Sequence, residues 1–317
     1  MIISRTPLRI SFVGGGTDMR YFYKNTEGKV LSIAIDKYIY IIVKKRYDKK
    51  IVLNYSKREI VDSIDEINHS LIRECLKLVK INSSIEISSI ADIPSQGSGL
   101  GSSSAFTVGL LNALFTYKGE NKTQEELASL ACKVEIDICG APIGKQDQYG
   151  TSIGGLKKII FHQDENVIIK QISDQNKLYK KLEDQLILVN SNIFRSASKV
   201  LQKQKSNSFK NTSKLESIVK IVDNFEKSLV SQDFKVVYQH LDNYWNKKKQ
   251  LVDTKVKKDL EEIYNSYVPN LCFSGKICGA GGGGYFVFFK KPESKILKNK
   301  YFDVKIDIAG SIIIYNN

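Results

Sequence analysis

The sequence predicts an α+β protein of two domains, and three observations carry that prediction. Its 317 residues suffice for two hydrophobic cores. Short alternating or apolar runs at 8–13, 30–36, 38–45 and 51–55 have charged or glycine tips that suit antiparallel strands. Apolar residues at helical spacing recur in both halves, and in the second half three amphipathic segments, 218–229, 234–251 and 256–267, follow one another. The Lys-rich, aromatic-poor stretch 173–184 is the candidate linker, so the expected domains are 1–180 and 181–317.

The stretch from Pro94 to Leu111 is the one around which the rest is organised. Gly97, Gly99 and Gly101 leave a bare backbone that turns sharply, and Ala105, Val108, Leu111 and Phe115 then continue at helical spacing. A glycine loop therefore opens a helix. Ser102, Ser103 and Ser104 occupy its first turn, where unpaired N–H groups, hydroxyls and the positive end of the dipole converge. That arrangement suits an anion, phosphate above all. A serine-capped helix after a flexible turn would have the same sequence, and no lysine follows at Walker-loop spacing, so charge must be neutralised from elsewhere.

In chain order, Leu8, Ile10 and Phe12 alternate with Arg9 and Ser11, and Gly14, Gly15, Gly16, Thr17 and Asp18 end this strand in a glycine turn. Ser63 and Glu66 form a capping box before the stripe Ile64, Ile67, Leu71, Cys75, Leu76 and Val79, and strand resumes at Ser84 to Ala91. Thr123 and Glu126 form a second box, before Leu127, Leu130, Ala131, Val134 and Ile138. Glu135 lies four residues beyond Ala131 at the edge of that face, where a carboxylate needs an ion pair, hydrogen bonds or a ligand. Gly144 to Gly150 reads as a polar loop, followed by strands at 156–161 and 167–172. After a strand at 186–190, a helical region starts at Ile193 and includes Arg195 and Lys199. Gly279, Gly281 and Gly284 fit the dinucleotide glycine pattern, but a strand follows them where that motif requires a helix. Segments 304–308 and 311–315 supply the last strands.

Composition narrows the function. No apolar run reaches a membrane span, since Asp36 and Lys37 interrupt the greasiest segment, and Arg5 and Arg9 stand where a signal core would be. A cytoplasmic enzyme with no membrane partner is expected. The five cysteines form no Cys-x-x-Cys pair and the three histidines show no ligand spacing, which argues for reduced thiols and against a His metal site. The formal charge of +14 would suit a nucleic-acid partner, but the lysines are dispersed over 44–50, 177–181, 199–220 and 247–258. Solvated helix faces and hairpin tips account for them better, so no nucleic acid is expected.

Together, the segments Thr6 to Asp18, Pro94 to Ala105 and Gly279 to Gly284 resemble the GHMP superfamily of small-molecule kinases in order, spacing and flanking elements across nearly the whole chain. Within it, the Gly-Gly-Gly-Thr-Asp turn, residues 142–149 and Arg195-Ser-Ala-Ser are most similar to D-glycero-α-D-manno-heptose 7-phosphate kinases, and L-fucose kinases share part of this signature. The resemblance implies an amino-terminal domain like the second domain of ribosomal protein S5 and a ferredoxin-like carboxy-terminal domain, with ATP between them. It implies that Gly97, Ser98, Gly99, Leu100, Gly101, Ser102, Ser103 and Ser104 wrap the ATP phosphates, and that Ser103 and Glu135 hold Mg²⁺, a cation that prefers oxygen ligands. Asp147 would accept or orient the sugar hydroxyl, and Arg9 would steady Asp147 or the phosphoryl group, unless it is a plain strand-end ion pair. Gly15, Gly16, Thr17, Asp18, Gly281 and Gly282 would face the sugar, although Gly14 to Gly16 replace the Gly-Glu-His of many relatives. Lys145, Arg195 and Lys199 are the candidates for the 7-phosphate. The implied activity is phosphorylation of the anomeric hydroxyl to the 1,7-bisphosphate, toward GDP-heptose for surface polysaccharide, by a monomer or homodimer. An unphosphorylated sugar of the L-fucose type and a basic RNA-binding module are the alternatives, though the aromatic-interleaved basic strand of the latter is absent.

Overall fold

In the computed structural model, β1 (Ile2–Val13) and β2 (Gly28–Lys45) pair along their length and form the spine of a mostly antiparallel sheet. The structure describes residues 1–94, 97–173, 177–193, 208–251 and 254–317. The strands expected at 30–36 and 38–45 are one strand. Opposite Asp36 and Lys37 the pairing skips, from Pro7 with Tyr38 to Leu8 with Ile35, so the polar pair bulges without ending the strand. The sheet order is β12–β1–β2–β5–β3–β4, with β3 (Ile51–Asn54), β4 (Arg58–Val61), β5 (Ile85–Ala91) and, from the end of the chain, β12 (Ile312–Asn316). The first half of β2 also pairs with β6 (Leu156–Phe161), which pairs with β7 (Val167–Gln171).

Helices α2 (Ser70–Val79), α3 (Ser102–Tyr117), α4 (Gln124–Cys132) and α5 (Gln146–Ser152) complete this half, after the single turn α1 (Arg20–Tyr23). α3 is buried almost all round, and Gly109 lets it lie on β1: a Cβ there would stand 2.8 Å from Thr6 Oγ1, and Ser4 Oγ donates to the Gly109 carbonyl at 2.7 Å. The Thr123–Glu126 capping box forms on α4 with both reciprocal bonds, at 3.2 and 2.7 Å. The Ser63 box does not start α2. Ser63 caps a single 3₁₀ turn, Ile64–Glu66, and α2 begins six residues later behind the imidazole of His69. Between them Glu59 accepts from the backbone and side chain of Asn68 at 2.8 and 3.2 Å and fixes a turn that breaks the helical run.

The expected linker is in large part a helix. α6 (Lys177–Gln185) buries Leu178 and Leu182, an i, i+4 pair, and runs into β8 (Leu186–Asn190). A second sheet, β11–β8–β10–β9, contains β9 (Cys272–Ile277), β10 (Tyr285–Lys290) and β11 (Phe302–Asp303). α7 (Ser208–Val230), α8 (Phe234–Lys248) and α9 (Thr254–Tyr267) lie in the chain between β8 and β9, as the three amphipathic segments predict. The end of the chain departs from the expected division: β12 (Ile312–Asn316) returns to the first sheet as the neighbour of β1, and Ile306 bridges Ile35. Ion pairs also join the halves, Lys29 and Lys158 on the first sheet meeting Asp223 on α7 at 2.9 and 3.5 Å, and Lys158 meeting Glu226. Among the described residues no helix is long and apolar enough to cross a membrane.

Candidate active site

A cavity of about 390 Å³ opens where the central glycine loop, the turn after β1, α5 and the end of α8 meet. Gly101 caps α3 in the left-handed region at φ +80, and its carbonyl accepts from Ala105 N at 2.9 Å. Gly97, Ser98, Gly99, Gly101 and Ser102 to Ser104 line the cavity, whereas Leu100 is buried in the core, its N–H donating to Ser98 Oγ at 3.3 Å and its carbonyl accepting from Arg9 N at 3.0 Å. Ser98 Oγ and Ser102 Oγ lie 2.7 Å apart and close the loop on itself.

The third glycine segment serves this loop. Tyr285 N donates to Ser98 O at 3.0 Å, a Cβ on Gly284 would stand 2.4 Å from the Gly97 and Ser98 carbonyls, and one on Gly99 would stand 2.6 Å from the Cys278 carbonyl. Gly279 and Ala280 reach the cavity; Gly281 and Gly282, expected to face the substrate, do not line it. With φ of +74 at Gly99, Gly99→Ala should lower stability by about 2–4 kcal/mol and raise the KM for ATP. Thermal unfolding and nucleotide titration check this, and an unchanged KM would refute a loop role.

Glu135 enters the cavity through a widened helical turn. α4 continues into a π-helical turn, Lys133–Ile138, in which Cys139 N donates to Val134 O at 2.9 Å, five residues back. The Glu135 side chain is 1% exposed and accepts from Ser103 Oγ and Ser104 Oγ, each at 2.8 Å, and from Gln148 Nε2. Burial pushes its carboxyl above the ordinary value against these bonds, and the charge of Asp147 adds to the rise. All three donors are neutral, and no cationic side chain pairs with Glu135 among the described residues, so the carboxylate suits a cation from outside. Nor does any group of three His, Cys, Asp or Glu side chains converge among the described residues, so further ligands of a metal here would be phosphate and water.

The segment expected as a polar loop is α5, and three successive side chains from it build the site. Gln146 donates to Asp18 Oδ1 at 3.2 Å, Asp147 receives Arg9, and Gln148 reaches Glu135. Arg9 is 2% exposed and gives Nε–H and an Nη–H to the same oxygen, Asp147 Oδ1, at 2.9 and 2.6 Å, and another Nη–H to the Gly99 carbonyl at 2.7 Å. It is thus more than a strand-end pair, since it ties Asp147 to the loop. Asp147 Oδ2 has no hydrogen-bond partner among the described residues. Gly101 and Gly150 make room for the arginine stem, a Cβ on either lying 3.2 Å from Arg9 Cγ.

The turn after β1 divides its expected residues. Gly16 and Asp18 line the cavity, and Asp18 also accepts from Gly16 N at 2.9 Å. Burial first, then the charge of Asp147, pushes its carboxyl above the ordinary value. Gly15 supports the turn from behind, its carbonyl accepting from Lys248 Nζ at 3.2 Å. Thr17 does not face the cavity: its one hydroxyl proton lies between the Gly14 and Lys29 carbonyls, at 2.9 and 2.8 Å, and its oxygen accepts from Lys29 N at 3.0 Å, which locks the turn to β2. Lys145 is likewise turned away, its ammonium held by Glu165 Oε2 at 2.5 Å and lying over the Tyr23 ring. Arg195 and Lys199 lie outside the described residues.

Two further lysines stand here. Lys248 lies in a run that reads as a solvated face in the sequence, yet it is buried and lines the cavity, and burial lowers its ammonium's pKa against the charge of Asp18. The signal was present: Val237, Leu241, Tyr244 and Lys248 follow the i, i+4, i+7, i+11 stripe of α8. Lys276 is also buried, donates to Ser11 O at 2.7 Å and is pushed down to about 8 by burial.

A serine-rich helix start, a buried carboxylate without a cation and an arginine-bound aspartate around one cavity suit phosphoryl transfer without a Walker lysine. Comparison with known proteins names the family. The GHMP kinases N terminal domain matches residues 70–155. The chain is 31% identical over 308 residues, 93% of its length and 91% of the relative's, to the D-glycero-alpha-D-manno-heptose 7-phosphate kinase of Campylobacter jejuni. A structure described as a putative sugar kinase from Campylobacter jejuni is 28% identical with a TM-score of 0.77, covering 98% of this chain and 97% of that one. The structure of a D-glycero-D-manno-heptose 1-phosphate kinase from Bacteroides thetaiotaomicron covers both chains fully at a TM-score of 0.82, and at 20% identity it speaks for the fold alone. The chain belongs to the GHMP kinase family and is an ATP-dependent kinase of the two-domain α+β fold.

Proposed function

We propose that the protein transfers the γ-phosphoryl group of ATP to the anomeric hydroxyl of D-glycero-α-D-manno-heptose 7-phosphate, giving the 1,7-bisphosphate for a GDP-heptose route to surface polysaccharide. The observation that carries this reading is the 31% identity, over nine-tenths of both chains, to an enzyme of that name. The division into residues 1–180 and 181–317, amended for the return of β12, belongs to the same reading.

The amides and hydroxyls at 97–104 hold the nucleotide tail, where the helix dipole opposes its charge. Ser103 and Glu135 would hold Mg²⁺, which when bound neutralises phosphate charge and orients the transferring group. Asp147 takes a hydrogen bond from the acceptor hydroxyl on Oδ2, the oxygen Arg9 leaves free. Arg9 occupies only Oδ1, so Asp147 can align the hydroxyl through Oδ2, and a loose phosphoryl-transfer transition state asks little more of it than orientation. Arg9 thereby fixes that carboxylate relative to the loop, and Asp18, held by Gly16 and Gln146, takes a sugar hydroxyl.

A panel of sugars with and without a terminal phosphate, followed by ADP formation, tests the reading. Turnover of heptose 7-phosphate far above that of heptose, mannose and L-fucose is expected. Preference for an unphosphorylated sugar would replace it with the L-fucose-type alternative, and ADP formation with none of them would overturn both.

A further inference from the structure

Around the turn after β1 the buried charges do not balance. Arg9, Lys248 and Lys276 are buried cations and Asp18 a buried carboxylate, while Asp147, 29% exposed, is committed to Arg9. Lys276 is sealed against Ser11 and does not line the cavity. Lys248 does line it, although it is only 3% exposed. An ammonium has three donors, and Gly15 O is the only hydrogen-bond partner Lys248 has among the described residues. Neither does it form an ion pair with any carboxylate among them. A lysine buried in this way is rare unless something pairs with it.

Its surroundings tell which ligand it meets. Lys248 shares its end of the cavity with Gly16, Asp18 and Gln146, and Asp18 is the acidic group whose charge it feels. The nucleotide tail is already provided for by the amides of 97–104. Among the described residues the acceptor, which must lie against Asp147 and Asp18, has no other cation free to meet it, since Lys145 is held by Glu165. We propose that Lys248 is an acceptor-binding residue whose ammonium pairs with the terminal phosphate of the sugar, so that the carboxy-terminal half selects phosphorylated acceptors. This rests on the reading of the acceptor as a sugar phosphate. Lys248 reaches the site from α8 while Asp18 and Asp147 reach it from the first half, so the sugar would be held between them.

The test uses the full chain with Lys248→Gln, which retains an N–H for the Gly15 carbonyl but no charge, and Lys248→Met should that variant fail to fold. The KM for heptose 7-phosphate should rise at least roughly tenfold, the scale of one lost charge-assisted hydrogen bond, with the KM for ATP and the slow turnover of unphosphorylated heptose within about twofold. Lys248→Arg should recover part of the loss. An unchanged sugar-phosphate KM would make Lys248 a mere clamp on Gly15, and a raised KM for ATP would assign it to the nucleotide; either overturns the proposal. Equal losses on heptose and heptose 7-phosphate overturn it too. A wild-type protein that ignores the terminal phosphate defeats the substrate reading before any variant is made, whereas a phosphate-dependent wild type with an indifferent Lys248→Gln defeats this proposal alone.

Discussion

Asp147→Asn is expected to lower kcat by roughly 10²- to 10⁴-fold, the range lost with a positioned proton acceptor, while nucleotide affinity stays within about twofold. The substitution keeps the shape of the side chain and an oxygen for Arg9, but removes the charge that aligns the acceptor hydroxyl and balances a guanidinium only 2% exposed. Asp147 is itself 29% exposed at the cavity, so the loss of stability should be well below that of breaking a fully buried pair. A coupled ADP-release assay and displacement of a fluorescent nucleotide separate the two effects. Turnover within about threefold of wild type would remove Asp147 from the reaction.

Glu135→Gln is expected to have an effect of similar size with an opposite companion. Loss of the carboxylate should raise the magnesium concentration for half-maximal activity by more than roughly tenfold and cut turnover at ordinary magnesium levels. The free protein, by contrast, should gain about 1 kcal/mol, because a buried charge without a counter-ion is replaced by a neutral amide. Part of that gain is offset where the amide meets one of the three donors now given by Ser103, Ser104 and Gln148. Urea unfolding without magnesium and a magnesium titration of activity measure the two changes. A variant that is less stable and equally responsive to magnesium would make Glu135 a structural hydrogen-bonding group.

Much of the glycine- and serine-rich wall of the cavity could be found from the sequence because its physics is local. Glycines that adopt left-handed conformations, a cap and three serines in one helical turn need no distant partner to be recognised. The acceptor end depends on contacts between segments far apart in the chain. Nothing local separates Lys248 from Lys247 and Lys249, and only the phase of the apolar stripe on α8 does so. Lys145 shows the converse, a basic residue in a motif segment whose charge is claimed by Glu165 across a hairpin. Thr17 was legible as a polar residue after a strand, but not as one whose hydroxyl would serve the backbone. The return of β12 to β1 leaves no trace in either strand, since pairing over some three hundred residues is set by the finished sheet.

The close approach of Gly99 to the Cys278–Gly279 backbone has a mechanical consequence. Side chains can slide or change rotamer as two bodies shift, but here main chain is pressed on main chain, with Tyr285 N bonded to Ser98 O. Any movement between the central loop and the second sheet must therefore carry this seam along whole or break that hydrogen bond, since no rotamer change can relieve it.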